Sequence, residues 1–216
     1  FRLEEVRAYL SIVAAAGLLV TWQIHSYFST LEEALRAAFF QVASIMTTTG
    51  FSTVDFDLWP SFAKCILVLL MIVGACAGST GGGVKVSRIV LIFKSIHLEM
   101  EQLIHPHGIQ RIRMDGKVVD SKVLNSIYIF LVTYCLIFGI SVLLVSLDNF
   151  DFETNFTAVA ATLNNIGPGL AGVGPTQNFS AYAPFSKLVL IFDMLAGRLE
   201  LLPMLILFYP KTWNRN

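Results

Sequence analysis

Charge is scarce in this chain: Asp, Glu, Lys and Arg make up only 14% of its 216 residues. The 15 basic and 15 acidic residues cancel to a formal net charge of zero, so no basic excess is available to hold a nucleic acid. Cysteine is scarce too. Cys65, Cys76 and Cys135 sit in apolar stretches with no pairing pattern, which reads as packing rather than disulfide or metal chemistry. A phosphate-binding loop is missing: Lys85 follows Val84 where a glycine is needed, and no strand precedes it. The context Ala77-Gly78-Ser79-Thr80-Gly81 lacks the first glycine of a nucleophile elbow, and no histidine lies at matching depth. His25 has no second His, Cys or carboxylate on its helical face, and the pair His105 and His107 flanking Pro106 reads as a solvated loop. Neither a signal peptide nor an initiating methionine is present, so the chain reads as a trimmed part of a longer polypeptide.

Apolar sequence is what the chain has in abundance. A hydrophobic fraction of 55% and a mean hydropathy of +0.68 place it among integral membrane proteins. After a charged leader, Phe1–Arg7, the run Leu10–Trp22 predicts a first membrane helix, with Trp22, His25 and Tyr27 at its interfacial end. Leu31–Met46 is apolar but falls short of the roughly 20 residues a membrane-crossing helix needs. Glu32 and Glu33 stand in its opening turn, where the positive end of the helix dipole favours acids, and its opposite end aims negative charge forward. Thr47–Phe51 follows, reading TTTGF. In the loop beyond it, Asp55 and Asp57 read as solvated rather than ion-attracting.

Phe62–Val73 begins another membrane helix, interrupted by Gly74–Gly83 (GACAGSTGGG). Each glycine costs about 1 kcal/mol relative to alanine in a helix. A Gly74/Gly78 helix-packing face accounts for two of the glycines but not for the run Gly81-Gly82-Gly83, so the stretch reads as an unwound intramembrane loop. Lys85, Arg88 and Lys94 close this helix. The polar segment from Ser95 to Ser121 contains Ile109–Val119, whose alternation around Asp115-Gly116 predicts a β-hairpin. Val123–Leu147 is the next membrane helix, Phe152–Leu163 a second short one, and Asn164–Gly169 (NNIGPG) a second loop in which Pro168 removes a donor. Phe185–Tyr209 is the last membrane helix. Arg198 near its middle costs about 2.5–3.5 kcal/mol at a bilayer centre, so it should face protein or water. Asp193 and Glu200 lie off its helical face, and its partner must come from elsewhere in the fold.

The chain repeats itself. A shift that carries Gly50 onto Gly167 also carries Phe39 onto Phe156, Ala43 onto Ala160, and Thr47-Thr48-Thr49 onto Asn164-Asn165-Ile166. Allowing an insertion in the following loop, Lys64, Leu67 and Gly74 match Lys187, Leu190 and Gly197, which sets Arg198 at the depth of the glycine loop. The unit is long helix, short helix, carbonyl loop, helix, present twice. Such repeats commonly flank the substrate path of a transporter. Non-helical backbone inside a bilayer survives only where protein buries it or water lines it, and main-chain carbonyls beside water are what a dehydrating cation needs.

TTTGF after a short helix, AGSTGGGVK in the next helix, NNIGPG in the second copy and GRLELLPML near the C-terminus together resemble the Trk/Ktr/HKT potassium-transporter superfamily, most of all the bacterial Trk membrane subunits. The likeness covers nearly the whole chain, which is similar to the third and fourth of that family's four pore repeats. It implies an all-α integral membrane fold and potassium uptake without covalent catalysis. It also implies a homodimer of complete subunits in the bacterial inner membrane, and a cytosolic nucleotide-binding regulatory partner that must be another chain. The filter expected from it is Thr47, Thr48, Thr49, Gly50, Asn164, Asn165, Ile166 and Gly167, with K+ held chiefly at Thr48, Thr49, Asn165 and Ile166. The expected gate is Gly78, Ser79, Thr80, Gly81, Gly82, Gly83 and Arg198. No cofactor is expected besides the potassium ion.

The resulting organisation is a pore repeat over residues 1–95, a cytoplasmic linker over 96–121 and a second repeat over 122–216. Basic residues collect in the leader, from Lys85 to Lys122, and in the tail Lys211–Asn216; acids Asp55, Asp57, Asp148, Asp151 and Glu153 collect at the mouths. The positive-inside rule then puts the hairpin in the cytoplasm and the mouths outside. Two other functions are carried alongside: an intramembrane hydrolase using Ser79, and a non-conducting scaffold whose glycines only pack helices.

Overall fold

The computed structural model describes residues 3–105, 111–199, 201–207, 209 and 212. His107, Ile109, Glu200 and all of the basic tail except Thr212 lie outside them. Among the described residues the regular structure is helical apart from one small hairpin: α1 Glu4–Ile24, α2 Leu31–Met46, α3 Ser61–Val73, α4 Val86–Ile104, α5 Ser121–Val145, α6 Phe152–Leu163, α7 Pro184–Leu199 and α8 Leu201–Leu207. The two short helices begin and end where the sequence puts them. Thr30 caps α2 by accepting the Glu33 amide at 3.2 Å, and Asp151 caps α6 by accepting the Thr154 amide at 3.0 Å, each meeting one of the donors a helix start leaves unpaired.

Each short helix is the inside of its half. α2 packs against α1 and α3, α6 packs against α5 and α7, and α3 meets α6 to join the halves. Small residues permit the close approach: Ala34, Ala37 and Ala38 on α2, and Ala158, Ala160 and Ala161 on α6, are all buried. A Cβ on Gly17 of α1 would sit 2.7 Å from the Phe39 ring of α2. The first core gathers Val20, Ile24, Val42, Ile45, Met46, Leu67 and Met71. The second half is packed around Phe130, Tyr134, Leu163 and Ala196, with Val145, Val159 and Leu190 toward its other end.

The outer faces are apolar as well. α5 exposes Ile129, Val132, Leu136, Ile140 and Leu143 along its length, a stripe that water would penalise and lipid accepts. Two helical lengths, Glu4–Tyr27 and Ser121–Asp148, are long and apolar enough to cross a membrane, while Ser61–Val73 is apolar but shorter. The last membrane helix expected over Phe185–Tyr209 is described as α7 and α8 on either side of Glu200.

The hairpin is smaller than the alternation around it suggests. Strand β1, Arg113–Met114, pairs antiparallel with β2, Lys117–Val118, with Arg113 opposite Val118 and Met114 opposite Lys117. Asp115 (φ 51°) and Gly116 (φ 78°) make the two-residue turn. Ile112 and Met114 bury against Leu91, Leu98 and Ile127, which fixes the hairpin to α4 and α5.

Candidate ion-conduction site

Both short helices end in the same way. The C-caps Thr47 and Asn164 have φ/ψ of −86°/2° and −96°/3°. The next residues, Thr48 (φ 54°) and Asn165 (φ 55°), are left-handed, and the glycines Gly50 (φ 78°) and Gly167 (φ 111°) also take positive φ. This winding turns the loop amides back onto the helix. Thr47 N donates to Ala43 O at 2.9 Å, Thr48 N to Ile45 O at 3.0 Å and Thr49 N to Ser44 O at 2.9 Å. In the second loop Asn164 N, Asn165 N and Ile166 N reach Ala160 O, Thr162 O and Ala161 O at 3.2, 3.0 and 2.8 Å. The amides are thereby spent on the last helical carbonyls. The carbonyls of Thr47–Gly50 and Asn164–Gly167 accept no hydrogen bond among the described residues.

The two loops touch: a Cβ on Gly50 would lie 1.9 Å from the Ile166 carbonyl oxygen. All eight residues expected at the filter are therefore in two facing strips of like backbone. Their side chains, however, serve the protein. Thr47 Oγ1 bonds Ala43 O at 2.7 Å and Thr49 Oγ1 at 2.8 Å. Asn164 is fully buried, giving its Nδ2 to Ala160 O at 2.8 Å and taking the Tyr134 hydroxyl at 3.0 Å. Asn165 Nδ2 donates to Met194 O of α7 at 3.1 Å. Ser44, whose hydroxyl holds Phe51 O at 2.6 Å, and Tyr134 are supports that the sequence reading missed. Neither lies in a motif; Ser44 acts on the loop of its own helix, and Tyr134 reaches across from α5.

The mouth acids are also more than solvated loop residues, which corrects the expectation for Asp55 and Asp57. Asp57 Oδ1 accepts the Ala171 amide of the second half at 2.9 Å, and Asp55 Oδ2 takes the Thr176 hydroxyl at 3.2 Å. Lys64 pairs with Glu153 at 2.8 Å and Asp57 at 3.6 Å. On α6, Thr157 and Thr154 accept the Leu170 and Gly172 amides at 2.9 and 3.0 Å. The Thr154 hydroxyl, followed by its amide, holds the Asp151 carboxyl below the usual carboxylate range. One clamp thus spans both mouths.

Helix α3 stops at Gly74 (φ 70°), and the chain leaves the helix and returns. Val84 N donates to Ile72 O at 3.0 Å, Lys85 N to Val73 O at 2.9 Å and Val86 N to Ala75 O at 3.0 Å, so α4 resumes against the end of α3. The excursion lies against both carbonyl loops. A Cβ on Gly81 would meet Thr48 Oγ1 at 2.9 Å, one on Gly82 would meet Asn164 O at 2.4 Å, and one on Gly83 would meet Gly74 Cα at 2.9 Å. Close approach therefore accounts for each glycine of the run. Arg198 donates to the Thr80 carbonyl from across the fold, as the lack of a partner on its own helical face requires. Both line a cavity of 230 Å³ together with Ser79, Gly81, Lys85 and Arg88. The Arg88 guanidinium lies 3.9 Å over the Phe130 ring. The Ser79 hydroxyl donates to Cys76 O at 2.6 Å, the geometry of a turn.

The family model for TrkH, described as a cation transport protein, matches residues 10–215. The Trk system potassium uptake protein TrkH of Escherichia coli K12 is 40% identical over 196 residues, covering 91% of this chain and 40% of that protein. Its TrkG is 31% identical over 211 residues, covering 97% of this chain and 43% of that protein. The crystal structure of the potassium transporter TrkH from Vibrio parahaemolyticus superposes with a TM-score of 0.89 at 37% identity, over 97% of this chain and 45% of that one. The chain spans less than half the length of the relatives it matches. With a match over nearly its whole length, it belongs to the TrkH family of cation transport proteins.

Proposed function

We propose that this chain supplies two of the four sides of a potassium-selective pore in a Trk-type uptake protein of the bacterial inner membrane. The observation that carries the reading is the pair of carbonyl strips at Thr47–Gly50 and Asn164–Gly167, in which the amides of Thr47–Gly50 and Asn164–Ile166 are consumed by their own helices. Oxygen dipoles without donors replace the water that a cation sheds. The C-terminal ends of α2 and α6 add the negative pole of each helix dipole at the same place. K+ is held chiefly by main-chain oxygens of Thr48, Thr49, Asn165 and Ile166, with Thr47, Gly50, Asn164 and Gly167 completing the strips.

On the cytoplasmic side the path is closed by Gly78–Gly83 and Arg198. The loop blocks sterically, and the guanidinium, held on Thr80 O, opposes a cation electrostatically. Opening requires the loop to swing away. The chain transports and does not catalyse a covalent reaction. Its complete form dimerises and docks a cytosolic nucleotide-binding regulator, with Arg111, Arg113 and Lys117 of the hairpin presented to it. Residues 1–95 and 122–216 are the two repeats, and 96–121 the linker. Flux of K+, Rb+ and Na+ into liposomes carrying the full-length protein tests the reading. K+ and Rb+ uptake well above that of Na+ is expected. Flux no greater than in protein-free liposomes contradicts it and leaves a scaffold.

A further inference from the structure

The first turn of α1 joins two parts of the molecule that are far from it in sequence. Glu5 Oε1 accepts the amide of Ala77, inside the glycine loop, at 2.5 Å, and the amide of Ser87, in the first turn of α4, at 3.2 Å. A carboxylate at that position is favoured by the positive end of the α4 dipole. Its neighbour Glu4 faces the hairpin. The Glu4 amide donates to Asp115 Oδ1 at 2.7 Å, the Asp115 amide donates to Glu4 Oε1 at 3.2 Å, and Lys94 pairs with Glu4 Oε2. The Lys94 ammonium also donates to Arg113 O at 2.7 Å. Two adjacent residues of one helical turn therefore hold the hairpin turn on one side and the glycine loop on the other.

On either side of Ala77 the loop is held at Ala75 O by the Val86 amide and at Thr80 O by Arg198. Among the described residues nothing lies within 4 Å of where a Cβ on Gly78 would be, one residue beyond Ala77. We infer that Glu4 and Glu5 form a clasp: Glu5 is a positioning residue that keeps the glycine loop against the filter, and Glu4 ties that hold to the cytoplasmic hairpin. A partner that pulls on the hairpin turn shifts Glu4, and Glu5 with it, and so releases the Ala77 amide. This inference rests on the reading of the glycine loop as the gate. It adds what holds that gate shut and by which residues the hairpin reaches it.

Half-buried Cys76, next to Ala77, is a native reporter. In the full-length protein with every other cysteine replaced by serine, the rate at which a water-soluble maleimide labels Cys76 is measured beside Rb+ flux. Glu5→Ala is expected to raise both several-fold. Glu5→Gln, which keeps an acceptor oxygen, should recover most of the parent behaviour. Asp115→Ala should raise Cys76 labelling in the same direction, and it keeps the proposal testable if Glu5→Ala fails to assemble. Unchanged labelling in both alanine variants overturns the clasp. Deleting residues 79–82 separates the two readings. If the deletion raises flux and Glu5→Ala adds nothing further, both stand. If the deletion raises flux while labelling and flux ignore Glu5→Ala and Asp115→Ala, the clasp alone fails. If the deletion leaves flux unchanged while labelling still responds to Glu5, the gate reading fails, and the clasp with it as a gating device.

Discussion

Tyr134 and Asn164 show how a residue of the second loop is held from a neighbouring helix. The Asn164 side chain is fully buried, and the Tyr134 hydroxyl supplies the donor that its Oδ1 needs. Tyr134→Phe strands that oxygen, a loss of about 1 kcal/mol or more; a lower melting temperature and weaker discrimination between K+ and Na+ are expected together. A drop in melting temperature with unaltered discrimination would limit Tyr134 to packing. Asp151 behaves differently because it is exposed. Thr154 holds its carboxyl below the ordinary range, so its contribution to the start of α6 is present above the unfolded value near 4 and is lost as pH falls through the depressed folded value. Asp151→Asn should therefore flatten the acid limb of the stability profile while leaving the neutral one nearly unchanged, because Asn still caps. Thermal melts of both forms between pH 3 and 7, run in detergent, check this as an order-of-magnitude pH window. At this scale even a local role can go unread: Thr30 and Asp151 cap their own helices, though Asp151 stood only among the mouth acids. The sequence is silent on Tyr134, whose partner is 30 positions away.

Among the elements, α2 and α6 were legible to the residue, because an apolar run and a terminal glycine loop bound each one and the internal repeat states the pattern twice. The glycine loop was legible as a break in a helix. Its return onto the end of α3 was not, since Val84 N to Ile72 O is a pairing that no local rule prefers. The charged leader concealed the most: nothing in its sequence singles out Glu5, whose carboxylate takes the Ala77 amide. The mouth acids misled for the same reason, their partners lying in the other half. Gly82 now yields a direct test. A methyl there meets Asn164 O at 2.4 Å, against backbone that cannot give way cheaply. Gly82→Ala should push the loop off the filter base and raise resting Rb+ flux several-fold at equal protein abundance. Flux equal to the parent's would mean that the loop does not seal the path. Arg198→Ala removes both the charge and the cap on Thr80 O. It should raise flux if repulsion dominates and lower abundance if capping dominates, and quantifying both together decides between them.

For the whole molecule, the exposed strip of α5 and the apolar length of α1 belong in lipid, while the two carbonyl loops touch where Gly50 approaches the Ile166 oxygen. On the proposed reading this chain supplies two sides of a four-sided pore, and two sides cannot surround an ion; liposomes carrying this chain alone should conduct no better than empty ones. The central claim is that backbone oxygens of these loops choose the ion. Gly50 tests it best, because its positive φ of 78° and the Ile166 oxygen, 1.9 Å from where a Cβ would stand, both bar a side chain. The deciding measurement is the K+-to-Na+ preference in competition against Rb+ uptake, for full-length Gly50→Ser beside the parent at matched protein in the membrane. Loss of preference by about tenfold, or about 1.4 kcal/mol, is the expected result. Preference equal to the parent's, in protein that assembles and conducts, would contradict the account.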